Sequence, residues 1–233
     1  MVEQIRLPHR PPLATPVPMK ISNDSLLGAL GWRYAVKKFD SAKKISATDW
    51  ETLENAVVLS PSSYGLQPWK FLVIQNPELR SKLKPASWNQ SQVVDASHFV
   101  VFLVRNTMDE KYVARFIDDT AKTRGIPAES MKVYRDMILS DLVKGPRSKQ
   151  IREWAARQTY IALGNMMTCA AVMGIDACPM EGFQPEKYDE LLELRAGDYS
   201  SLVCLALGYR SADDKYASMK KVRFSKADVV QYV

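Results

Sequence analysis

The chain has 233 residues and a net charge of +6, from 32 Lys and Arg against 26 Asp and Glu, a length that can bury one good core. Only His9 and His98 are histidines, and Cys169, Cys178 and Cys204 have no metal or redox spacing, so a zinc site or a Ser-His-Asp triad has almost nothing to be built from. The basic residues are interleaved with acids and form no dense run, which fits attraction to small anionic ligands better than a nucleic-acid surface.

Residues 1–21 are crowded by Pro8, Pro11, Pro12, Pro16 and Pro18 and read as a flexible tail, without the apolar stretch of a secretory signal. Residues 22–233 read as one domain. A first helix, Asp24 to Trp32, has Ser22, Asn23 or Asp24 as its cap. Arg33 to Asp40 then reads as extended, which places Arg33, Ala35 and Lys37 on one side. Ser46-x-x-Asp49 is a capping box opening a helix with Trp50, Leu53 and Val57 on one face. The stretch Ser60 to Trp69 holds two serines, two prolines and a glycine, so it is a loop. A strand from Lys70 to Gln75 and a helix from Pro77 to Leu83 follow.

A helix ending near Ser97 precedes the continuous apolar run Phe99 to Val104, the pattern of a buried strand. Helices over Asp109 to Arg124 and Ala128 to Val143 are stopped by Gly125 and Gly145. The long helix Ser148 to Met173 carries no charge from Gln158 onward. Gln158, Thr159, Gly164, Asn165 and Thr168 interrupt it, which argues against a membrane span and for burial in a core or a subunit interface. Strands Ile175 to Cys178 and Ser201 to Leu207 flank a helix starting at Pro185. The mixture, with no strict βαβ repeat, gives an α+β sandwich with a covered central sheet. No G-x-G-x-x-G follows a strand, so a nicotinamide cofactor has no Rossmann site of its own. His98 reads as a structural group at the start of a strand.

Three stretches carry chemistry. The loop Ser60-Pro61-Ser62-Ser63-Tyr64-Gly65-Leu66-Gln67-Pro68-Trp69 combines small donors with aromatic walls, which suits a flat, polar-edged ligand. Arg33-x-x-x-Lys37 and Lys221-Val222-Arg223 each set two cations close in sequence, as a phosphate and an electron-rich ring edge require. Pro179-Met180-Glu181-Gly182-Phe183 reads as a loop in which Gly182 frees the backbone to present N–H groups.

Together these stretches, and Asn89 to His98 with its Asp95-Ala96-Ser97-His98 ending, resemble the nitroreductase family of FMN-dependent oxidoreductases over residues 22–233. The resemblance implies a sandwich with a central mixed sheet, a homodimer with FMN sites built from both chains, and a cytoplasmic enzyme. It implies NAD(P)H as co-substrate, alternating with an electron acceptor over one face of FMN, and neither nucleic acid, membrane nor metal as partner. The acceptors it implies are nitroaromatics, quinones or similar electron-poor molecules. Other flavin reactions on this fold (dehalogenation, enone reduction, flavin breakdown) and a non-catalytic FMN-binding protein are the alternatives.

By the same resemblance, Arg33, Lys37, Lys221 and Arg223 meet the phosphate and the ring edge, with Tyr34 and Ala35 beside them. Pro61, Ser62 and Ser63 approach from the partner subunit, and at Gly65 backbone or water replaces a side-chain hydrogen bond to the flavin. Asn89 and Gln92 also bind the cofactor, Gln92 at the position that faces the pyrimidine end of the ring. Glu181 and Gly182 supply backbone N–H near the hydride-accepting N5, Pro179 and Met180 also bind the cofactor, and no catalytic acid or base is implied, because the chemistry is the flavin's. Tyr64, Trp88 and Tyr134 are implied to border the substrate. The chain departs from the family pattern at Ala35 (often Ser), Gly65 (often Asn), Gln92 (often Lys) and Tyr64 (often small).

Overall fold

The computed structural model describes residues 20–194 and 197–233. The proline-rich tail therefore lies, apart from Lys20 and Ile21, outside the described residues. The framework is a four-stranded sheet in the order β1-β2-β4-β3, with β1 at Trp69–Val73, β2 at His98–Arg105, β3 at Asp176–Met180 and β4 at Tyr199–Gly208. All three pairings are antiparallel. The parallel component that a mixed sheet needs is a single bridge, Ala35 to Ala177.

The apolar run of β2 is continuous because both faces of the sheet are covered. Phe99, Val101 and Leu103 point to one side, with Cys204 and Ala206 of β4. There they meet Leu83 of α3 (Pro77–Leu83), Val93 of α4 (Gln92–Asp95) and Tyr188 of α8 (Pro185–Leu191). Val100 and Phe102 point the other way, with Val203 and Leu205, onto α2 (Ala47–Val58) and α7 (Ile151–Val172). A third cluster at the end of the sheet joins Leu66 and Val104 to α5 (Glu110–Arg124), α6 (Lys132–Ile138) and the start of α7.

Local signals place the elements. Ser22 caps α1 (Asn23–Trp32), its side chain accepting from the Ser25 amide at 3.1 Å. Ser46 caps α2 through the Asp49 amide at 3.1 Å. Asn76 caps α3, with Pro77 in its first turn. Gly125 ends α5 at φ 66°, a left-handed cap that favours glycine.

Three expectations change. Pro179 and Met180 belong to β3, not to the loop after it, because their backbone pairs with Leu205 and Cys204. The helix ending near Ser97 is a single turn, α4. The helix from Ala128 to Val143 is three pieces: a 3-10 turn Ala128–Met131, then α6, then a π-helical turn Leu139–Val143. The last piece closes against Gly145, where a Cβ would sit 2.4 Å from the Ser140 carbonyl oxygen, so only glycine fits.

The helix α7, uncharged from Gln158 onward, has two roles. Trp154, Ala162, Leu163 and Met166 face the protomer's own core. Tyr160, Ile161 and Val172 are exposed at 38%, 45% and 40%. Beside them α1 buries no residue, and Leu27 and Trp32 stand exposed. Among the described residues no helix is long and apolar enough to cross a membrane.

Candidate active site

The segment after α1 is pinned so that its cations converge. Val36 and Phe39 anchor it in the core, at 0% and 3% exposure. The Ala35 bridge to Ala177 lays it along β3. Buried Asp214 accepts from the Lys37 amide at 2.9 Å, the Lys38 amide at 3.1 Å and the Tyr34 hydroxyl at 3.1 Å. Burial first, then the Asp214 bond, pushes the Tyr34 phenol up to about 12, so it stays a neutral donor. Asp176 is spent on Arg210 at 2.6 Å, and that guanidinium stacks on Trp32 and Tyr34 at 4.2 and 4.5 Å.

The nearby carboxylates are thus committed, while Arg33, Lys37, Lys221 and Arg223 have no ion pair among the described residues. They line one recess of about 620 Å³ with Trp32 and Tyr216, and no carboxylate lines it. The Nε of Arg33 is buried without a hydrogen-bond partner. Burial and the neighbouring Arg223 charge hold the Arg33 guanidinium below its usual range, and burial, Arg33 and Arg223 do the same to the Lys221 ammonium. Lys221 donates to the Leu30 and Arg33 carbonyls at the C-terminal end of α1, where a cation is favoured. Converging cations that depress one another fit an anionic phosphate and an electron-rich ring edge.

β3 links this recess to the Glu181–Gly182 stretch. The buried Cys178 thiol, pushed up by its burial, also feels the Lys37 and Arg33 charges and lies beside the Gln92 side chain, while its Sγ donates to the Pro179 carbonyl at 3.7 Å. Gln92 itself is 4% exposed, turned into the protein at that thiol. Gly182 lies under the Trp88 ring, where a Cβ would come within 2.7 Å of it. Gln90 fixes the turn by donating to the Gly182 carbonyl at 2.7 Å. Trp88 and Asn89 sit at φ 53° and 57°, consecutive left-handed residues that throw the Trp88 ring out to 67% exposure. Tyr160 of α7 donates to the Glu181 carboxylate at 2.5 Å.

The Ser60–Trp69 loop forms a separate group. Ser62 Oγ accepts from the Gln67 amide at 2.9 Å, and the Ser63 amide donates to Gln158 Oε1 at 2.9 Å. Asn165 donates to the Ala56 carbonyl at 2.8 Å and to Ser60 Oγ at 3.0 Å. Gln158 and Asn165, two of the polar interruptions of α7, therefore clamp this loop, a role that α7's sequence did not announce. Tyr64, at φ 58°, donates to Asp141 at 2.8 Å, which raises its phenol, and Arg147 holds Asp141 at 2.6 Å. Tyr134 donates to the Tyr64 carbonyl at 2.9 Å, the two rings lie 6.2 Å apart, and both line a recess of about 600 Å³ with Phe116.

The residues singled out from sequence thus fall into two groups within one chain. Arg33, Tyr34, Ala35, Lys37, Lys221 and Arg223 share one recess, tied through β3 to Glu181, Gly182, Trp88 and Gln92. Tyr64, Gly65 and Tyr134 share another, and none of Pro61 to Gly65 lines the cationic recess. Among the described residues no cluster of His, Cys, Asp and Glu could hold a metal. Arg210 and Asp214, which brace the cationic segment from the far end of the sheet, were not found from sequence; nothing in their spacing marks a partnership across the chain.

Residues 30–209 match the model of the nitroreductase family. A Bacillus subtilis (strain 168) protein that carries the provisional name NAD(P)H nitroreductase YfkO is 41% identical over 218 residues, 89% of this chain and 97% of that protein. A Staphylococcus haemolyticus (strain JCSC1435) protein, also provisionally named an NAD(P)H nitroreductase, is 37% identical over 222 residues, 92% of this chain and all of that one. Among solved structures, a nitroreductase from Exiguobacterium sibiricum 255-15, described in complex with FMN, shares the fold with a TM-score of 0.73 at 20% identity, over 93% of this chain and 99% of that one. The cation segments, the loop clamped by α7 and the turn under Trp88 therefore sit in a chain that belongs to the nitroreductase family.

Proposed function

We propose that this chain is an FMN-dependent NAD(P)H oxidoreductase that works as a homodimer on flat, electron-poor acceptors such as nitroaromatics and quinones. The observation that carries the reading is the recess in which Arg33, Lys37, Lys221 and Arg223 converge without a carboxylate. The names of the B. subtilis and S. haemolyticus relatives and the FMN described in the E. sibiricum protein support it.

FMN, when bound, supplies the two-electron chemistry between NAD(P)H and the acceptor. Arg33, Lys221, Arg223 and Lys37 would hold its phosphate and its electron-rich ring edge. The backbone at Glu181 and Gly182, kept in place by Gln90 and Trp88, would face the ring. The exposed apolar residues of α1 and α7 support a dimer, since a second copy covering Leu27, Trp32 and Ile161 removes them from water. In that dimer the Pro61–Gly65 loop of one copy would complete the flavin site of the other, with Tyr64 and Tyr134 as aromatic walls for the acceptor. A cytoplasmic location accords with this reading.

The test is spectroscopic. The purified protein is expected to be yellow, to bleach on anaerobic addition of NADPH or NADH, and to recover colour with a nitroaromatic or a quinone. A colourless protein that binds no FMN overturns the reading. A yellow protein that no reduced nicotinamide bleaches makes it a flavin carrier. An acceptor panel that includes an enone separates nitro and quinone reduction from enone reduction.

A further inference from the structure

A second recess, of about 350 Å³, lies apart from the residues discussed above and is lined by Lys44, Gln75, Arg80, Ser81, Ser97 and His98, with no carboxylate. At its base is a buried guanidinium. Arg80 is 7% exposed and donates from Nε to the Ile74 carbonyl at 2.6 Å, and from its two terminal nitrogens to the Ala96 and Ser97 carbonyls at 2.7 and 3.2 Å. A guanidinium has five N–H groups, so one on each terminal nitrogen is left over. Arg80 has no ion pair among the described residues, although a buried cation ordinarily carries a counter-charge. Lys44, on the rim, has none among the described residues either.

His98 completes the set. Its ring stacks on Trp50 at 3.9 Å, and Nδ1 lies 3.0 Å from Ser97 Oγ. Ser97 Oγ already accepts from the Ile45 amide at 2.9 Å. The direction of the Ser97–Nδ1 bond follows the ring's tautomer, and Nε2 has no protein partner among the described residues. Burial, then the charges of Arg80 and Lys44, lowers the imidazole to about 4. The recess thus gathers Arg80, Lys44, an imidazole that burial first and then these two charges keep neutral, and two hydroxyls.

We propose that this recess is a second binding site, for a tetrahedral oxyanion of the phosphate class, held by Arg80, Lys44 and His98. The two spare N–H groups of Arg80 match a phosphoryl edge, and Lys44 adds a point charge. A bound anion offsets the Arg80 and Lys44 charges at the ring, so occupancy and protonation of His98 are linked, and the part of the affinity that His98 contributes grows only as pH falls toward its value of about 4. The anion is either free phosphate or the phosphoryl group of a larger molecule; the recognising chemistry is the same.

The experiment uses the full-length, FMN-loaded protein carrying His9→Gln, which leaves His98 as the sole imidazole. Its ring resonances are followed by NMR against pH in sodium chloride, then in inorganic phosphate at matched ionic strength. The expected result is a saturable response to phosphate, with the titration midpoint raised by about one pH unit, a ten-fold change in the protonation equilibrium. Lys44→Gln, at an exposed position, is expected to raise the half-saturating phosphate concentration about ten-fold, the loss of one charge-assisted contact. Identical behaviour in chloride and phosphate overturns the proposal, as does a phosphate response that Lys44→Gln leaves untouched. Glycerol phosphate as a second probe distinguishes the sources: tighter binding than inorganic phosphate identifies a phosphoryl group on a larger molecule, and weaker binding identifies the free anion.

Discussion

Gln158, buried where the uncharged part of α7 begins, accepts the Ser63 amide hydrogen at 2.9 Å, across 95 residues of chain. Its own side-chain amide donates back to the Trp154 carbonyl at 3.2 Å, so the group is satisfied on both sides. A polar side chain in an apolar helix therefore fixes the backbone of the loop that the proposed function brings to the flavin. Gln158→Leu keeps the volume but leaves the Ser63 amide without that partner. It is expected to cost about 1–3 kcal/mol, measured by urea unfolding, and to slow reoxidation by the acceptor more than it weakens FMN.

The cationic recess makes a prediction on affinity. Arg33→Ala or Arg223→Ala should weaken FMN binding ten- to a hundred-fold, since a charge-assisted contact contributes about 1.5–3 kcal/mol. Fluorescence titration of the apoprotein with FMN measures it. Unchanged affinity in both variants would remove these residues from the site.

The exposed face of α7 makes a prediction on assembly. Ile161→Lys should give a monomer with little bound flavin, because Ile161 is 45% exposed in one chain and the charge would be buried in the dimer. Met166→Lys should instead unfold the protomer, since Met166 is 1% exposed in its own core. Light scattering and flavin content per chain separate the two outcomes. A yellow Ile161→Lys dimer would place the interface elsewhere.

The aromatic pair makes a prediction on selectivity. Tyr134→Phe loses the bond to the Tyr64 carbonyl but keeps the ring, whereas Tyr134→Ala loses both. Both should leave FMN affinity nearly unchanged. The alanine variant should alter acceptor preference, because ring stacking is worth about 0.5–1.5 kcal/mol per pair. Stopped-flow reoxidation with several acceptors measures this; equal rates for all of them would make Tyr134 a packing residue.

His98 makes a prediction on pH. Its folded value, about 4, lies below the unfolded 6.5. Between these values the unfolded chain binds a proton that the native ring refuses, so stability falls as pH drops through this window. Above about 6.5 the ring is neutral in both states and contributes no slope. His98→Asn should flatten the acid limb of a urea-stability profile recorded in chloride. An unchanged slope would assign the acid sensitivity to carboxylates.

Most of the frame is visible in local signals. Ser46, Asn76 with Pro77, and Gly125 mark helix ends by the hydrogen bonds and dihedrals that their side chains allow. The run Phe99 to Val104 declares a strand covered on both faces. Where expectation failed, a distant partner decided. Pro179 and Met180 look like loop residues until β4 pairs with them. The π-helical turn at Leu139–Val143 depends on close approach at Gly145, which periodicity does not register. The site was legible as motifs but not as a circuit: Asp214, Arg210 and Gln158 position it from positions that carry no motif.

The hold of Lys221 on the Leu30 and Arg33 carbonyls joins residues 191 and 188 positions apart. Arg33 leaves the ribosome well before Lys221 and Arg223 are made. The sheet and its helices can assemble during synthesis, but the cationic recess stays incomplete until those two residues have emerged. Under the proposed function, cofactor capture then waits on this late segment, and a product truncated before Lys221 would fold around its core yet remain unable to load flavin.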